Sequence, residues 1–201
     1  MSKIRTIHDL HRYEGEASKR FFVKLRYFFF TPGYTFTYFF RKASACSNIF
    51  GKILYYPLFH ITKVITGIQI PIGTKIGKGL KIGHFGTIVV NPQAEIGENF
   101  NIAQGCLIGN ALGKRKGVPK IGNNVVMSAN SVIIGNVTIG NNVLIAPLSF
   151  VNIDVPDNSI VIGNPATIIP RDSSPTSKYI VFPAPETELF ALRKEQPLES
   201  N

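Results

Sequence analysis

Residues 121–151 read IGNNVV MSANSV IIGNVT IGNNVL IAPLSF V, and this stretch decides the fold. A large aliphatic residue returns at every sixth position from Ile121 to Val151, and Val or Ser occupies the fifth position of each unit. An α-helix would repeat its apolar residues about every 3.6 positions, and simple alternation would not leave turn-forming residues at fixed places. Each unit of six, or hexad, therefore predicts one short strand followed by one corner.

The step of six extends towards the N-terminus. It is kept by Ile70, Ile76, Ile82 and Ile88 and, after a two-residue slip, by Ile96, Ile102 and Ile108. A single strand and corner cannot bury its apolar side alone, so successive turns must stack and pair their backbones. The predicted fold is mainly β, a parallel β-helix over residues 67–170. An α-helical segment over residues 1–66 precedes it, and a C-terminal tail over residues 171–201 follows.

Length, composition and cysteine content set outer bounds on the protein. With 201 residues and 44% hydrophobic content, the chain allows one or two domains with a real core. Two cysteines give no disulfide framework, and Cys106 falls at an inward fifth position, which favours packing over a nucleophilic role. The first twenty residues lack the apolar run of a secretory signal, so a cytoplasmic location is expected. No Cys and His cluster has metal-ligand spacing, and no metal is predicted.

Basic and aromatic residues are concentrated in residues 1–60, with ten Lys or Arg against three acids and sixteen of the 22 aromatics. The pattern predicts a polar, frayed start over residues 1–14, then helices over 15–30, 34–45 and 47–66, with Pro57 bending or interrupting the last. No segment has the roughly 18 uncharged apolar residues of a membrane span. For residues 15–60, packing within an oligomer and peripheral contact with the inner membrane surface both stay open. Nucleic acid is not expected, because no binding module accompanies the charge.

His84 is the only histidine within the repeats, in the segment Ile82-Gly83-His84-Phe85-Gly86-Thr87. A lone histidine at a corner is more often a surface residue than a catalyst. Its surroundings change this interpretation, because IGKGLKIGHFGTIVVNP at 76–92, AEIGEN at 94–99 and NIAQG at 101–105 resemble the serine acetyltransferase branch of the hexapeptide-repeat acyltransferases. The resemblance covers roughly residues 68–170. It implies a left-handed β-helix with three hexads per turn.

In that branch the histidine matching His84 is the catalytic base, which takes a proton from the acceptor hydroxyl. The resemblance implies acetyl-CoA as acyl donor and a homotrimer with active sites at subunit interfaces. A backbone carbonyl, Glu95 or Gln104 would orient the imidazole. Acetyl-CoA would be held by the backbone at Ala129 and Pro147, by the closing residues Gly163 and Asn164, and at its phosphates by Arg171 or the loop containing Lys114. The loop is equally open to interpretation as an exposed charged tip.

The sequence departs from this branch where free serine would bind. Enzymes that acetylate serine carry ionisable residues at four positions that here hold Gln69, Gly83, Gly117 and Val118. A site built to pair charges loses much of its affinity when those charges are deleted, so serine is not the expected acceptor. The predicted acceptor is a sugar hydroxyl of a surface polysaccharide or its precursor. The alternatives are serine O-acetyltransferase of cysteine biosynthesis and a non-catalytic β-helix scaffold.

Overall fold

Three sheets form the three faces of a prism in the computed structural model, which describes residues 2–185, with side chains from residue 6 onward. The first face contains β1 (Lys75–Ile76), β4 (Glu95–Ile96), β7 (Lys120–Ile121) and β10 (Thr138–Ile139). The second contains β2 (Lys81–Ile82), β5 (Asn101–Ile102), β8 (Val126–Met127), β11 (Leu144–Ile145), β13 (Ser159–Ile162) and β14 (Thr167–Pro170). The third contains β3 (Val89–Val90), β6 (Leu107–Gly109), β9 (Val132–Ile134) and β12 (Phe150–Val151). The chain visits the faces in turn, which confirms the predicted parallel β-helix.

The interior is a set of stacked aliphatic side chains, one column from each face. Strand pairing places Ile76, Ile96, Ile121 and Ile139 in one buried column, and Ile82, Ile102, Met127, Ile145 and Val161 in the next. Cys106 is fully buried at the predicted inward position, with its Sγ 3.1 Å from the carbonyl oxygen of Ser128. The β14 strand runs antiparallel to β13 and closes the last turn.

An asparagine ladder follows the corner between the first and second faces, here called the asparagine corner. Asn99, Asn124, Asn142 and Asn158 all have positive φ, between 54° and 57°. Each side-chain amide donates to the amide oxygen of the next, at 2.9–3.0 Å. Asparagine suits this place because it tolerates the left-handed conformation and its side chain pairs in both directions.

Helices cover the first turn of the β-helix. They are α1 (Ser2–Glu14), α2 (Phe21–Phe30), α3 (Pro32–Ala45) and α4 (Ile49–Thr66), with a short 3₁₀ helix over Gly15–Lys19. The prediction of a frayed start was wrong, because α1 is ordered by buried polar contacts that appear only in the folded chain. Pro57 does not interrupt α4, which continues through it, so of the two predicted effects only a bend stays a prediction. None of the described helices combines the length and apolar content needed to cross a bilayer.

Asp9 on α1 joins the helices to the β-helix. Its buried carboxylate accepts from Arg41 Nε on α3 at 2.8 Å, and from the backbone N–H groups of Gly79 and Leu80 at 2.9 and 2.8 Å. Arg41 in turn donates to the carbonyl oxygens of Ile76 and Gly77. The pair therefore supplies hydrogen bonds to the exposed edge of the first turn, where no preceding turn exists to do so.

The C-terminal segment, residues 171–185, returns along the outside of the second face to the helices. Asn101 Nδ2 donates to the Tyr179 carbonyl oxygen, Arg12 to that of Phe182, and the Ala184 N–H to Asn99 Oδ1. This part of the predicted tail packs on its own chain. The sequence also predicts a short helix at Glu186–Lys194 within this tail, which lies outside the described residues.

Candidate active site

His84 lies on an enlarged corner between the second and third faces, here called the His84 corner. Residues 83–88 join β2 to β3, whereas residues 103–106, 128–131 and 146–149 make the same connection in the turns below. The first of these connections is therefore two residues longer. Gly86 has a φ of 113°, and a Cβ added at Gly83 or Gly86 would meet nothing within 4 Å. The extra residues loop outward into open space.

The two-residue slip in the repeat lies earlier in the chain than the sequence predicts, which was after Ile88. Val89 pairs with Leu107 and Val90 with Ile108, so Val90 fills the inward first position of its hexad. Ile88 lies at the level of Cys106, in the inward fifth position. The two extra residues therefore lie between Ile82 and Val90, at His84 itself. Both Ile88 and Val90 are buried aliphatics, which is why the pattern alone misplaced the insertion.

The His84 imidazole is accessible and unpaired. The residue is exposed, and within residues 2–185 its side chain has no hydrogen bond, ion pair or ring contact. Phe85 beside it is half exposed. An imidazole free on both nitrogens can accept a proton from a hydroxyl brought to it, which is the role of a general base.

Several predicted site residues form one row down the His84 corner. Gln104, Ala129, Pro147 and Gly163 each occupy the third position of their hexads, two residues after an inward side chain. The row is tied by backbone bonds, since Asn130 N donates to Gln104 O at 3.0 Å and Leu148 N to Ala129 O at 3.2 Å. The Gly163 carbonyl oxygen accepts from Phe150 N at 3.0 Å. Asn164 follows Gly163 and is exposed.

Gln104 carries an unused acceptor at this corner. Its strand β5 pairs with β2, Ile102 beside Ile82, so Gln104 lies one turn below the His84 loop. The Gln104 Oε1 atom is buried and has no hydrogen-bond partner among the described residues. A buried acceptor without a partner costs free energy, so Gln104 Oε1 is available to a donor group that approaches this corner.

Three predicted site residues lie elsewhere in the chain. Glu95 is on the first face, across the prism from the His84 corner, where its carboxylate is 2.7 Å from Lys75 Nζ. Arg171 follows β14 and donates its N–H to Asn158 O, which places it at the asparagine corner. Lys114 is exposed on the loop between β6 and β7, at the corner of the third and first faces. Within one chain, then, Glu95 is not a partner for His84.

Residues 110–119, here called the basic loop, contain Lys114, Arg115 and Lys116. One of these cations ties the loop to the β-helix of its own chain. Arg115 pairs with Asp154 at 2.8 Å, and its carbonyl oxygen accepts from Asn136 N at 2.8 Å. That ion pair and the Thr138 N–H hold the pKa of Asp154 below its usual range, the backbone hydrogen bond being the larger cause. Lys114 and Lys116 stay exposed. No group of three His, Cys, Asp or Glu side chains that could hold a metal ion occurs in residues 2–185.

The sequence analysis missed Tyr13 of α1, which supports the strand that leads to His84. Its hydroxyl donates to the Ile82 carbonyl oxygen at 3.0 Å and accepts from the Ile82 N–H at 3.1 Å. Because β2 is the edge strand of the second face, these backbone groups have no neighbouring strand. Burial raises the pKa of Tyr13, so the hydroxyl remains a donor. Sequence offers no signal for this pairing, which spans 69 residues.

Comparison with known proteins places these features in a family context. Residues 119–152 match the family model described as bacterial transferase hexapeptide (six repeats). A serine acetyltransferase from Synechococcus elongatus is 33% identical over 138 residues, 68% of this chain and 56% of the relative. One from Staphylococcus aureus is 40% identical over 114 residues, 56% of this chain and 53% of the relative. The chain spans about half the length of these curated relatives.

A solved structure shows the same similarity in three dimensions. The serine acetyltransferase from Brucella abortus strain S19 superposes with a TM-score of 0.67 at 27% identity, over 85% of this chain and 69% of the other. The fold is a left-handed parallel β-helix preceded by helices, as predicted. By sequence and by fold, the chain is similar to bacterial hexapeptide transferases and to serine acetyltransferases.

Proposed function

We propose that this hexapeptide-repeat protein is an O-acetyltransferase that takes its acetyl group from acetyl-CoA. One observation carries the proposal: an exposed, unpaired His84 on a lengthened corner loop, directly above a row of corners that ends at Gly163. The similarity to serine acetyltransferases supports it. The chain's own residues need to supply only a base and a surface for the donor.

His84 would accept the proton of the acceptor hydroxyl as its oxygen attacks the thioester carbon. Thioesters are activated acyl donors, so this proton transfer is the main chemical task, and general base catalysis is typically worth about 10²- to 10⁴-fold. Backbone N–H groups of the corners would stabilise the charge that develops on the thioester oxygen. Tyr13, by fixing both backbone groups of Ile82, would hold the position from which the His84 loop starts.

The row below His84 offers a surface for the donor. Ala129, Pro147 and Gly163 have small or compact side chains, so an extended molecule could approach their backbone closely. The unused Gln104 acceptor lies on the same row and would take a hydrogen bond from an amide of the donor. Lys114 and Arg171 lie at the other two corners, so they would reach the donor phosphates only from a neighbouring subunit.

This geometry supports a homotrimer as the working unit. A corner of a prism is convex, whereas small-molecule sites are concave and bury most of their ligand. One chain therefore provides one wall of the site, and a second chain would provide the other. In the trimer proposed here, the His84 corner of one subunit faces the next, which would bring basic residues from the neighbour towards the donor.

The acceptor has two candidates, which different observations favour. The relatives are named serine acetyltransferases, which makes free serine the first candidate. The sugar hydroxyl predicted from the sequence finds no support in those relatives. It rests on the four positions that hold Gln69, Gly83, Gly117 and Val118 in place of ionisable residues. In addition, residues 17–94 contain no Asp or Glu that could pair with an ammonium group. Glu95 follows directly but is paired with Lys75 on another face.

Thiol release from acetyl-CoA tests the activity and separates the acceptors. Wild type, His84→Ala and His60→Ala would be assayed with free serine and with capsule-type oligosaccharides. His60 is a matched control because it is also exposed, on α4 and outside the row. We expect His84→Ala to lose about 10²-fold or more in kcat and His60→Ala to match wild type.

Each outcome has a defined meaning. Release with serine assigns the relatives' acceptor to this chain, and release with oligosaccharide alone assigns a glycan acceptor. Equal rates in wild type and His84→Ala would refute the role of the histidine. Failure to bind CoA in calorimetry would refute the transferase and favour a scaffold.

A further inference from the structure

Helix α2 is strongly apolar and yet has no buried residue. Its sequence is FFVKLRYFFF, and Phe22 and Phe30 are 80% and 81% exposed. Aromatic rings of this size dominate the energetics of cores and interfaces, so a helix that presents several of them to solvent has an unfilled partner site. The inner side of α2 contacts α3 through Phe28, whose ring lies 5.3 Å from that of Tyr38.

Helix α4 also exposes most of its apolar side chains. Only Phe59, Thr62 and Thr66 of its 18 residues are buried. Phe50 near its start is 81% exposed and Val64 near its end is 85% exposed. Twelve of the twenty exposed large apolar side chains within the described residues lie on α2 and α4, so the exposed apolar surface is concentrated here.

The charge around this surface is mostly basic. Residues 17–94 contain no Asp or Glu. Glu14 and Glu16, which precede α2, pair with Arg26 and Lys19. Arg20, Lys24, Lys52 and Lys63 lie on or beside the two helices and have no acidic partner among the described residues. A second copy of the same face would bring like charges together. A bilayer with anionic headgroups satisfies both requirements, because it accepts aromatic and aliphatic side chains at the acyl boundary and neutralises Lys and Arg above it.

A groove between α1, α2 and α3 fits the same kind of partner. It has a volume of about 430 Å³, and its lining combines the apolar side chains of Leu10, Leu25 and Phe28 with the amino groups of Lys24 and Lys42. Lys42 Nζ lies 5.6 Å from the centre of the Tyr38 ring and 5.8 Å from that of Tyr55. An apolar groove with cations and no carboxylate in its lining suits an acyl chain that carries a negative headgroup.

We propose that α2 and α4 form a membrane-surface site that selects bilayers containing anionic lipids. The described helices cannot span a bilayer, so the protein would lie on its surface. The C-cap of α4, Gly67, lies close to Thr87 of the His84 corner, whereas α2 does not contact that loop through any described hydrogen bond or ring contact. The inference does not depend on acetyl transfer.

Vesicle flotation with the full chain tests this site. Vesicles of phosphatidylcholine alone would be compared with equimolar phosphatidylcholine and phosphatidylglycerol. We expect binding to the anionic vesicles that weakens as salt is added, and little binding to the neutral ones. The double variant Phe22→Ser with Phe50→Ser should bind at least about tenfold more weakly. Lys24→Glu should bind about five- to tenfold more weakly.

Matched control variants distinguish binding through α2 and α4 from nonspecific hydrophobic binding and from misfolding. Leu112→Ser removes an equally exposed apolar residue from the β-helix, and Lys120→Glu reverses an exposed charge there. Both should bind like wild type. The α2 and α4 variants should keep the wild-type circular dichroism and melting temperature, because the side chains they change are exposed.

Two results would overturn the proposal. One is equal binding to neutral and anionic vesicles, which would remove the role of charge. The other is no binding to either, together with a fall in oligomer mass when Phe22 and Phe50 are replaced, which would show that a second copy of the chain covers the face.

Discussion

Replacing Asp9 with Asn should strongly destabilise the protein, because it removes one partner of a buried ion pair. The carboxylate is fully buried and accepts hydrogen bonds from Arg41 Nε and Nη2 and from the N–H groups of Gly79 and Leu80, at 2.8–3.2 Å. In Asp9→Asn the amide can still accept with one oxygen, but its NH₂ group faces other donors, and the Arg41 charge is left buried without a counter-ion.

Breaking a buried ion pair in this way costs about 3–5 kcal/mol. For a chain of this size each kcal/mol lowers Tm by about 2–4 °C, so we expect a fall of about 10 °C. Urea unfolding followed by circular dichroism measures the change directly. The exposed pair between Glu16 and Lys19 provides the control, because Glu16→Gln removes a similar ion pair in full contact with solvent. That variant should unfold like wild type.

The measured loss in the free energy of unfolding decides whether the buried charge pair matters. A loss of less than about 1 kcal/mol in Asp9→Asn would mean that the hydrogen bonds alone hold the helices, and that the charge pair adds nothing. The helices would then be anchored by their aromatic residues, and Phe36, Phe40 and Phe59 would become the positions to test.

Two further predictions concern the same end of the molecule. Tyr13→Phe leaves the Ile82 N–H and carbonyl oxygen without a partner, so it should cost about 1–3 kcal/mol and lower kcat, whereas exposed Tyr179→Phe should change neither unfolding nor turnover. Burial, and then Lys78, lower the pKa of His8 below 6.5, so the unfolded chain binds this proton more readily. The contribution of His8 to the free energy of unfolding should be present above about pH 6.5 and lost as the pH falls through the lower folded-state pKa. In urea unfolding, His8→Gln should reduce that loss. An unchanged pH dependence in this variant would contradict the assignment.

The hexad pattern allowed the β-helix to be predicted. A residue's place within its hexad fixes whether it points inward or lies at a corner, which placed His84 at a corner. Gln104, Ala129 and Pro147 were named through the resemblance to serine acetyltransferases. What the pattern could not fix was which corner a residue occupies, because that depends on counting strands through any insertion. Glu95 was therefore named as a candidate partner of His84 although it lies on another face, whereas the roles of Arg171 and Lys114 stay predictions for a subunit interface. The insertion was hidden because Ile88 and Val90 both suit an inward position.

The helical segment was harder to predict for a different reason. Its α1 helix is polar and carries few apolar residues, so it has little local signal. Its order comes from Asp9 and Arg12, whose partners lie 32 to 170 residues away along the chain. Propensity and periodicity describe neighbours within a few residues, and such distant pairings are invisible to them.

The asparagine ladder determines at which corners residues can be inserted. At that corner each amide must meet the one above it, so an inserted residue would break the bonds of two turns at once. Within residues 2–185, the other two corners carry no such ladder, and they hold the His84 loop and the basic loop. Duplicating a whole turn would keep the amides aligned and lengthen the prism, whereas a single added residue is tolerated only away from them. The asparagine ladder thus keeps the turns in register while loops at the other corners are lengthened. New loops, and with them new specificities, can therefore be added there.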